Sequence, residues 1–524
     1  MKRRDFLRKS IPAGIVLPSL VNGFSFRAFG QDSPFAQSLL MPVTNTDHIL
    51  VIVQLSGGND GLNMVIPVEY FSNYANARSN IYIPEDKVLK LADTNKTGLH
   101  PAMTGLHSLY NEGQVKIIHS VGYPKPSFSH FRATDIWMSA SDSTVEVNSG
   151  WAGRYLNYEY PNFPVGYPNS SMKDPLAIQI GSATSLTFQG PAVSMGMSIS
   201  NTSNFYNLLN GVQDPVPATP AGKELNFVRQ IAQQTQQYAS VIKDAATKVP
   251  VQVTYPTGNS LGDQLKIVAR LIKGGLQTRV YMVNFGGFDT HSAQVNSTDK
   301  TTGNHASLLM KVSDAIKAFQ DDLKFLEIED RVVGMTFSEF GRRIKSNASV
   351  GTDHGSAAPM FVFGKKVAGG VLGDTPVIGA SVTVNDNLPF QYDFRSVYAT
   401  LMSNWLCVND TDLQQVMLKN FQTLPLVNSQ DCKKLVNLSG DKLISNYPNP
   451  FVSSTVITFK TAGGHTSIQI IDTSGRVIAI LADQEYTAGT YTVVFNGGTL
   501  PTGVYYARLQ NLAVQQVCAM LKAR

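Results

Sequence analysis

The sequence predicts an α/β protein in which a mostly parallel β-sheet, covered by helices on both faces, precedes a small antiparallel β-sandwich. Short β-branched runs alternate with amphipathic helices through the middle of the chain, a pattern typical of parallel sheets. From about residue 445 onward, β-branched and aromatic residues alternate between Gly, Asn and Thr turns, a pattern that favours a sandwich. With 524 residues and 43% apolar content, the chain can bury one large core and still form a second domain.

The α/β pattern covers residues 46–427. Apolar residues recur at helical spacing between Leu308 and Leu326, which predicts a helix between two strands. Ligands bind at the carboxyl ends of parallel strands, so functional residues are expected where the strands end. The candidate strands are Ile49–Leu55, Val115–Ser120, Leu176–Ile180, Val280–Phe285, Val332–Phe337 and Phe361–Phe363.

The first 30 residues resemble a twin-arginine signal peptide. Arg3-Arg4 and Phe6-Leu7 precede a short apolar run from Ile11 to Val21 and a small-residue exit. This segment carries a net charge equal to the +5 of the whole chain, so the remainder is close to neutral. A nucleic-acid groove and a basic membrane face are therefore not expected. No other stretch has the roughly 18 apolar residues that a membrane-spanning helix needs.

The C-terminal segment resembles the type A sorting domain of the type IX secretion system over residues 445–524. It begins Ser-Asn-Tyr-Pro-Asn-Pro-Phe and continues with turns every 8 to 12 residues. The resemblance implies the twin-arginine translocase and the type IX machinery as partners, with passage through the periplasm to the cell surface or medium. An immunoglobulin-like accessory module without an export role is the alternative. Residues 31–45 and 428–444 are predicted to be a leader and a linker, and His465 is expected at the surface.

Acidic and imidazole side chains follow several of the predicted strands. Each group comes directly after, or shortly after, a strand end and is preceded or followed by glycine. Carboxylate and imidazole groups together suit one or two divalent cations, with zinc, manganese, magnesium and calcium all open. The predicted metal ligands are Asp60, Asp289, His291, Glu339, Asp353 and His354.

Five short motifs resemble the DUF1501 family over about residues 46–425. They are Gly57–Asn63, Ser129–Phe131, Gly287–His291, Ser338–Arg342 and Thr352–Gly355, in the family's order. The family is related by fold to alkaline phosphatases, sulfatases and cofactor-independent phosphoglycerate mutases. The resemblance therefore implies an alkaline-phosphatase-like three-layer sandwich.

The same resemblance implies roles for individual residues. Asp60 resembles the first metal-binding aspartate of the superfamily, and Ser129 resembles its nucleophile. Phe340 stands where relatives often have a histidine ligand, which leaves two arrangements open. Either Glu339 replaces an aspartate in a reduced site, or Asp353-His354 is itself the Asp-His pair and the final histidine is missing.

Ser129 has two possible roles in the sequence. It is either a nucleophile activated by a metal or a helix N-terminus, or only the N-cap of the helix that follows. Ser127 is the reserve nucleophile, and His130 is expected to orient the site or bind substrate. Arg342 either clamps an anionic substrate or forms a salt bridge with a neighbouring carboxylate.

The three cysteines and the histidines outside the motifs are not assigned to the site. Three cysteines are too few for a disulfide scaffold, so either Cys407 and Cys432 form a bridge or all three are free thiols. Five isolated histidines lie in apolar or helical contexts, and we expect them to be structural: His48, His100, His107, His119 and His305.

The leading hypothesis is an exported metal-dependent hydrolase of phosphate or sulfate esters, with an anionic ester or glycan-type substrate. In it, one or two divalent cations activate Ser129 and stabilise the charge that develops during transfer. The alternative is a surface binding or structural protein that has the fold without the chemistry, in glycan handling.

Overall fold

The computed structural model describes residues 46–160, 172–200, 238–428 and 443–523, except for 462, 473–475 and 512–514. It also describes 19–21, 24–26, 163–164, 167–169 and residue 432. The leader, most of the linker and nearly all of the predicted signal peptide lie outside these residues. Within the predicted signal peptide, β1 (Ser19–Val21) and β2 (Phe24–Phe26) form an antiparallel pair.

A nine-stranded mixed sheet lies at the centre of the large domain. In spatial order its strands are β13 (Gly370–Leu372), β7 (Val115–Gly122), β12 (Ala358–Phe363), β11 (Val332–Phe337), β3 (Ile49–Ser56), β10 (Val280–Gly286), β8 (Ala177–Ile180) and β9 (Met197–Ile199), with β14 (Tyr392–Asp393) beside β7. All six strands predicted from the sequence are present, with bounds shifted by three residues or fewer.

Helices cover both faces of this sheet. The described helices of this domain are α1 (Gly61–Met64), α2 (Phe71–Ala77), α3 (Thr104–Asn111), α4 (His130–Ser139), α5 (Trp151–Glu159), α6 (Ser260–Lys273), α7 (Asn304–Phe325), α8 (Phe394–Thr400) and α9 (Asp410–Met417). Residues 238–247 are also helical, and a π-helical turn, Leu401–Trp405, follows α8. A small sheet of β4 (Val65–Ile66), β6 (Thr94–Leu99) and β5 (Leu89–Leu91) accompanies α1 and α2.

Alternate residues of β3 pack into two separate hydrophobic cores. Val51 and Val53 join the core that contains α3, α6 and α7, whereas Leu50 and Ile52 join the core that contains α4, α5, α8 and α9. Successive side chains of a strand point to opposite faces, so the sheet is the middle layer of three. The predicted three-layer α/β architecture is confirmed.

The central strands β11, β3 and β10 run parallel, so their carboxyl ends meet at one edge. In their register, Phe285 lies beside Leu55, and Phe337 lies beside Gln54. β12 is antiparallel to both of its neighbours, which makes the sheet mixed. The loops after β3, β10 and β11 therefore leave the sheet side by side.

The C-terminal region contains two antiparallel sheets, as predicted. One has the order β15 (Ile444–Tyr447), β16 (Ser454–Thr461), β19 (Gly489–Asn496); the other has β18 (Val477–Tyr486), β17 (Gly464–Ile471), β20 (Gly503–Asn511), β21 (Gln515–Lys522). Their apolar side chains, including Ile457, Ile468 and Leu509, form a core of their own. The His465 side chain is about half exposed, as expected from the sequence.

Cys407 and Cys432 form a disulfide bond, whereas Cys518 is a buried free thiol. The bridge was one of the two possibilities that the sequence left open. His48 stacks on Trp405, with 3.9 Å between the ring centroids, and its Nδ1 lies 2.7 Å from the Trp405 carbonyl oxygen. This histidine is therefore structural, as predicted.

Candidate metal centre

The loop after β3 packs against the loops after β10 and β11 through two glycines. Gly57 and Gly58 have φ values of +122° and +70°, a region that L side chains rarely adopt. A Cβ on Gly57 would lie 2.4 Å from the backbone nitrogen of Asp289, and one on Gly58 would lie 2.1 Å from a ring carbon of Phe340. These glycines therefore allow the three strand ends to approach more closely than any side chain would permit.

Asp289 is the centre of a cluster of three histidines. Its Oδ1 lies 3.1 Å from His291 Nε2 and 3.3 Å from His354 Nε2, and its Oδ2 lies 3.6 Å from His130 Nε2. Arg342 also donates to Oδ1, at 2.7 Å. The Asp289 side chain is 47% exposed, so the cluster opens to solvent.

A neighbouring oxygen fixes the Nδ1 atom of two of these rings. His354 Nδ1 lies 2.8 Å from the carbonyl oxygen of Phe128, which can only accept a hydrogen bond. Nδ1 therefore carries the hydrogen, and Nε2 of the neutral ring has a free lone pair. His130 Nδ1 lies 2.8 Å from Glu339 Oε1, and a carboxylate fixes that ring in the same sense.

The Nδ1 atom of the third ring, His291, also faces an oxygen, but at a longer distance. Its Nδ1 lies 3.4 Å from Asp353 Oδ1, to which Asn347 also donates at 3.0 Å. Its Nε2 lies only 2.9 Å from the Nε2 of His354. Two nitrogen lone pairs at this separation repel each other unless a proton or a cation lies between them.

The donor atoms fit a divalent metal ion. Nε2 of His291, Nε2 of His354 and Oδ1 of Asp289 are 2.9, 3.1 and 3.3 Å apart. Ligands about 2.1 Å from one ion are separated by about 3.0 to 3.4 Å, depending on the coordination number. His130 also offers an atom within 4.8 Å of those of Asp289 and His354, in a group of potential ligands that does not include His291. Imidazole donors of this kind suit zinc and other transition metals better than magnesium or calcium.

The surroundings favour the protonation states that bind a metal. Burial alone would raise the pKa of Asp289, but the Arg342 hydrogen bond and charge hold it below its usual value. The Asn347 hydrogen bond lowers the pKa of Asp353. Burial lowers the pKa of His354. At neutral pH both carboxyl groups are therefore ionised and the His354 ring is neutral.

Glu339 and Phe340 support the cluster from the end of β11. The Glu339 side chain is 3% exposed; its Oε1 accepts from Gly57 N at 2.8 Å as well as bonding to His130. The Phe340 ring packs on both imidazoles, with centroids 4.8 Å from His130 and 4.5 Å from His354. Phe340 thus supports the two imidazole rings by packing and offers no ligand atom.

Asp60 does not join this cluster. Its carboxylate is fully buried and accepts two bonds from Arg78 Nη1, at 2.7 and 2.8 Å, and one from Gln294 Nε2 at 2.6 Å. Burial alone would raise its pKa, but Arg78 and Gln294, together with His305, hold it below its usual value. In place of the predicted ligand role, the structure gives Asp60 a buried ion pair.

The Arg342 side chain is directed toward protein oxygens and away from solvent. Its side chain is fully buried and donates to the carbonyl oxygens of Gly57, Gly58, Phe288 and Thr352, besides Asp289. Of the two roles that the sequence left open, the geometry favours the salt bridge over the substrate clamp.

Ser129 occupies the N-cap position of α4, but its hydroxyl makes no capping hydrogen bond. The residue is exposed and lies between Phe128, which holds His354, and His130, which faces Asp289. Ser127 lies two residues before Ser129, and its hydroxyl accepts from the Ser129 backbone nitrogen at 3.3 Å. Because the hydroxyl does not serve as a cap, the purely structural role loses its main support.

Arg78 and Gln294 were absent from the predicted site. Arg78 lies just after α2, and no motif distinguishes it from other surface-type arginines in the sequence. Gln294 is three residues after His291, and this proximity to a predicted site loop was the only available signal. Both residues are identified only by the fold, which buries them beside Asp60.

The family model described as "Protein of unknown function (DUF1501)" matches residues 47–404. The chain belongs to the DUF1501 family. All the predicted site residues of this DUF1501 protein lie inside the matched region. No curated protein is similar enough to the chain to count as a match.

A second family model, "Secretion system C-terminal sorting domain", matches residues 445–520. It agrees with the predicted type IX sorting domain and indicates export to the cell surface or the medium. Among the described residues, none of the helices combines the length and apolar character needed to cross a bilayer. The twin-arginine assignment stays a prediction.

Several solved structures share low similarity with the chain. A sulfatase from Pseudoalteromonas sp. has 10% identity and a TM-score of 0.31, with 86% of this chain and 84% of that chain covered. A Bacteroides thetaiotaomicron protein described with the metabolism of multiple glycosaminoglycans has 10% identity and a TM-score of 0.32, covering 86% and 90%. Alkaline phosphatase from the Antarctic bacterium TAB5 has 10% identity and a TM-score of 0.27, covering 73% and 100%.

Proposed function

We propose that the domain is an exported metal-dependent hydrolase of phosphate or sulfate esters. The observation that carries the proposal is the convergence of three imidazole Nε2 atoms on the Asp289 carboxylate, with two of those atoms 2.9 Å apart. In this proposal His130, His291, His354 and Asp289 hold a divalent ion, while Glu339 and Asp353 orient two of the rings. The predicted ligands Glu339 and Asp353 therefore become supports, and His130 becomes a ligand.

The proposed reaction is transfer of a phosphoryl or sulfuryl group to Ser129 and then to water. The Ser129 hydroxyl gives up its proton and its oxygen forms a bond to phosphorus or sulfur, while the bond to the ester oxygen breaks. The ester oxygen leaves with the electron pair and takes up the released proton as the alcohol. The oxygen of a water molecule then bonds to phosphorus or sulfur, and the Ser129 oxygen leaves with the electron pair and takes a proton from that water, which restores the serine. A bound divalent ion would supply charge stabilisation for the oxygens of the transferred group. The exposed, uncapped hydroxyl beside His130 supports this assignment.

The substrate is proposed to carry its ester on a glycan. Phe131, the residue after His130, has a side chain that is 87% exposed at the start of α4. A large apolar ring left in water beside a candidate site is typical of a surface that binds a partner or ligand. The ring provides a flat apolar face on which the alcohol portion of a substrate can pack.

Metal content and ester hydrolysis test the proposal together. The exported full-length protein is purified without chelators, its metals are measured by elemental analysis, and it is assayed against a panel of phosphate and sulfate esters. We expect His354→Ala to lose the metal and the activity, and Ser129→Ala to keep the metal but lose the activity. His465→Ala, which changes an exposed histidine in the sorting domain, is the matched control. Metal-free wild-type protein with no esterase activity would refute the proposal.

One observation favours the alternative, a non-catalytic surface protein in glycan handling. The Arg342 guanidinium already neutralises Asp289, so the cluster has a charge partner without any metal. If this alternative is correct, Asp289→Asn leaves binding to cells or glycans unchanged, and no ester in the panel is hydrolysed.

A further inference from the structure

The buried pair of Asp60 and Arg78 occupies the position at which the sequence predicted a metal ligand. Both side chains have zero exposure, and both Asp60 oxygens accept from Arg78. The remaining Arg78 donors bind the backbone oxygens of Ile344 at 2.8 Å and Arg343 at 2.7 Å, and a further contact reaches Asn63 at 3.1 Å. The guanidinium is thus fixed on every side by the protein.

A divalent ion at Asp60 would have to replace these bonds. One negative charge is already balanced by one buried positive charge, and a second cation there would repel the guanidinium strongly in a medium of low dielectric constant. Among the described residues, Asp60 belongs to no group of three potential ligands within reach of one ion. Its position therefore satisfies neither the charge nor the ligand requirement of a metal site.

We infer that Arg78 takes the place of a second metal ion, so that the centre binds one divalent ion per chain. This inference rests on the proposed function, and it goes further by fixing the number of ions. Asp60 acts in it as a positioning residue.

Asp60 positions the two ligand-bearing loops through the side chain of Gln294. Its Nε2 donates to Asp60, while its Oε1 accepts from Thr290 Oγ1 at 2.9 Å and from Thr352 Oγ1 at 3.2 Å. Thr290 lies between the proposed ligands Asp289 and His291, and Thr352 lies two residues before His354. The ion pair therefore anchors both ligand-bearing loops to the end of β3, without contacting the ion.

Counting ions per chain tests the inference. Metal-stripped, full-length protein is loaded with zinc or manganese, dialysed and measured for metal and protein, and the affinity is determined by titration calorimetry. We expect one ion in wild type and one ion, bound about tenfold more weakly, in Asp60→Asn, because loss of an outer-shell contact typically costs 10- to 100-fold. Asp142→Asn, which breaks an ion pair with Arg395 outside the cluster, is the matched control and keeps wild-type affinity.

The wild-type count decides the question even if Asp60→Asn does not fold. Two ions in wild type, with one lost in Asp60→Asn, would overturn the single-ion centre and leave the proposed function standing. No ion in wild type would overturn both. Thr352→Val removes only the hydroxyl that reaches Gln294, and we expect it to bind one ion more weakly. Unchanged affinity in Thr352→Val and Asp60→Asn would overturn the positioning role.

Discussion

Asp60 and Asp289 follow adjacent parallel strands, and each lies two residues after a pair of glycines. Yet one is buried and the other is exposed to solvent. In the register of β3 and β10, Ser56 lies beside Gly286, so the two loops start at the same level. Asp60 is completely buried against Arg78, whereas Asp289 is 47% exposed among three histidines. An acidic residue at a strand end therefore identifies the edge of the sheet where the candidate site lies. The residues around it decide whether it forms a structural ion pair or joins the candidate metal site.

The direction of the chain after each aspartate explains the difference. Asp60 leads into α1, whose four residues are all buried, so its side chain is enclosed by the core. After Asp289 the chain makes tight turns, with Thr290 N donating to Phe288 O at 2.8 Å and His291 N to Asp289 O at 3.1 Å. These turns keep Asp289 and His291 at the surface.

The largest expected effect is on stability, and it separates the two aspartates. Asp60→Asn leaves the Arg78 charge buried without its partner, so we expect the free energy of unfolding to fall by about 3–5 kcal/mol. Asp289→Asn also removes the charge partner of the buried Arg342, but the Asp289 carboxylate is half exposed and four carbonyl oxygens still accept from the guanidinium. We therefore expect a smaller loss than for Asp60→Asn. Urea unfolding of both variants measures the difference; equal losses would contradict the comparison.

The next effect is on metal affinity and concerns Glu339, whose carboxylate holds the His130 ring. Glu339→Gln removes the negative charge that holds Nδ1 of this ring, so we expect the affinity for zinc to fall by about 10- to 100-fold. Titration calorimetry measures it. The matched control is Glu329→Gln, because Glu329 pairs with Lys365 instead. A wild-type affinity in Glu339→Gln would show that His130 is not a ligand.

Lowering the pH should remove the contribution of the ionised Asp60 carboxylate to the free energy of unfolding. Its folded-state pKa lies below that of the unfolded chain, which is about 3.9. The stabilisation is therefore fully present above that value and is lost as the pH falls through the folded-state pKa. We expect the stability difference between wild type and Asp60→Asn to narrow below about pH 4, by at most ~1.4 kcal/mol per pH unit. A difference that stays constant from pH 7 to pH 3 would argue against the charged pair.

The smallest effect concerns substrate binding at the exposed side of the cluster. Phe131→Ala removes the exposed ring without touching the proposed ligands, so we expect a several-fold higher KM for a glycan ester with kcat unchanged. Steady-state kinetics on a glycan ester and on a small aryl ester measure it. Phe325→Ala, at the exposed end of α7, is the control for loss of a surface ring. An unchanged KM would remove Phe131 from the substrate surface.

Much of the fold was predictable because periodicity reports burial directly. The β-branched runs of β3, β10 and β11 and the helical spacing in α7 are consequences of which side chains must leave water. The antiparallel direction of β12 was not predictable, since strand direction depends on the path of the connecting chain. The Cys407–Cys432 pairing was left open for the same reason.

By itself, the sequence determined the layered α/β domain, the sorting domain and the edge of the sheet where acids and histidines gather, because local patterns encode which segments form strands and where they end. Only the tertiary structure decided that His130 joins Asp289, His291 and His354, and that Asp60 pairs with Arg78. These contacts join residues far apart in the chain, such as His130 and Glu339. Their formation depends on packing distances and buried charge balance that no local pattern records.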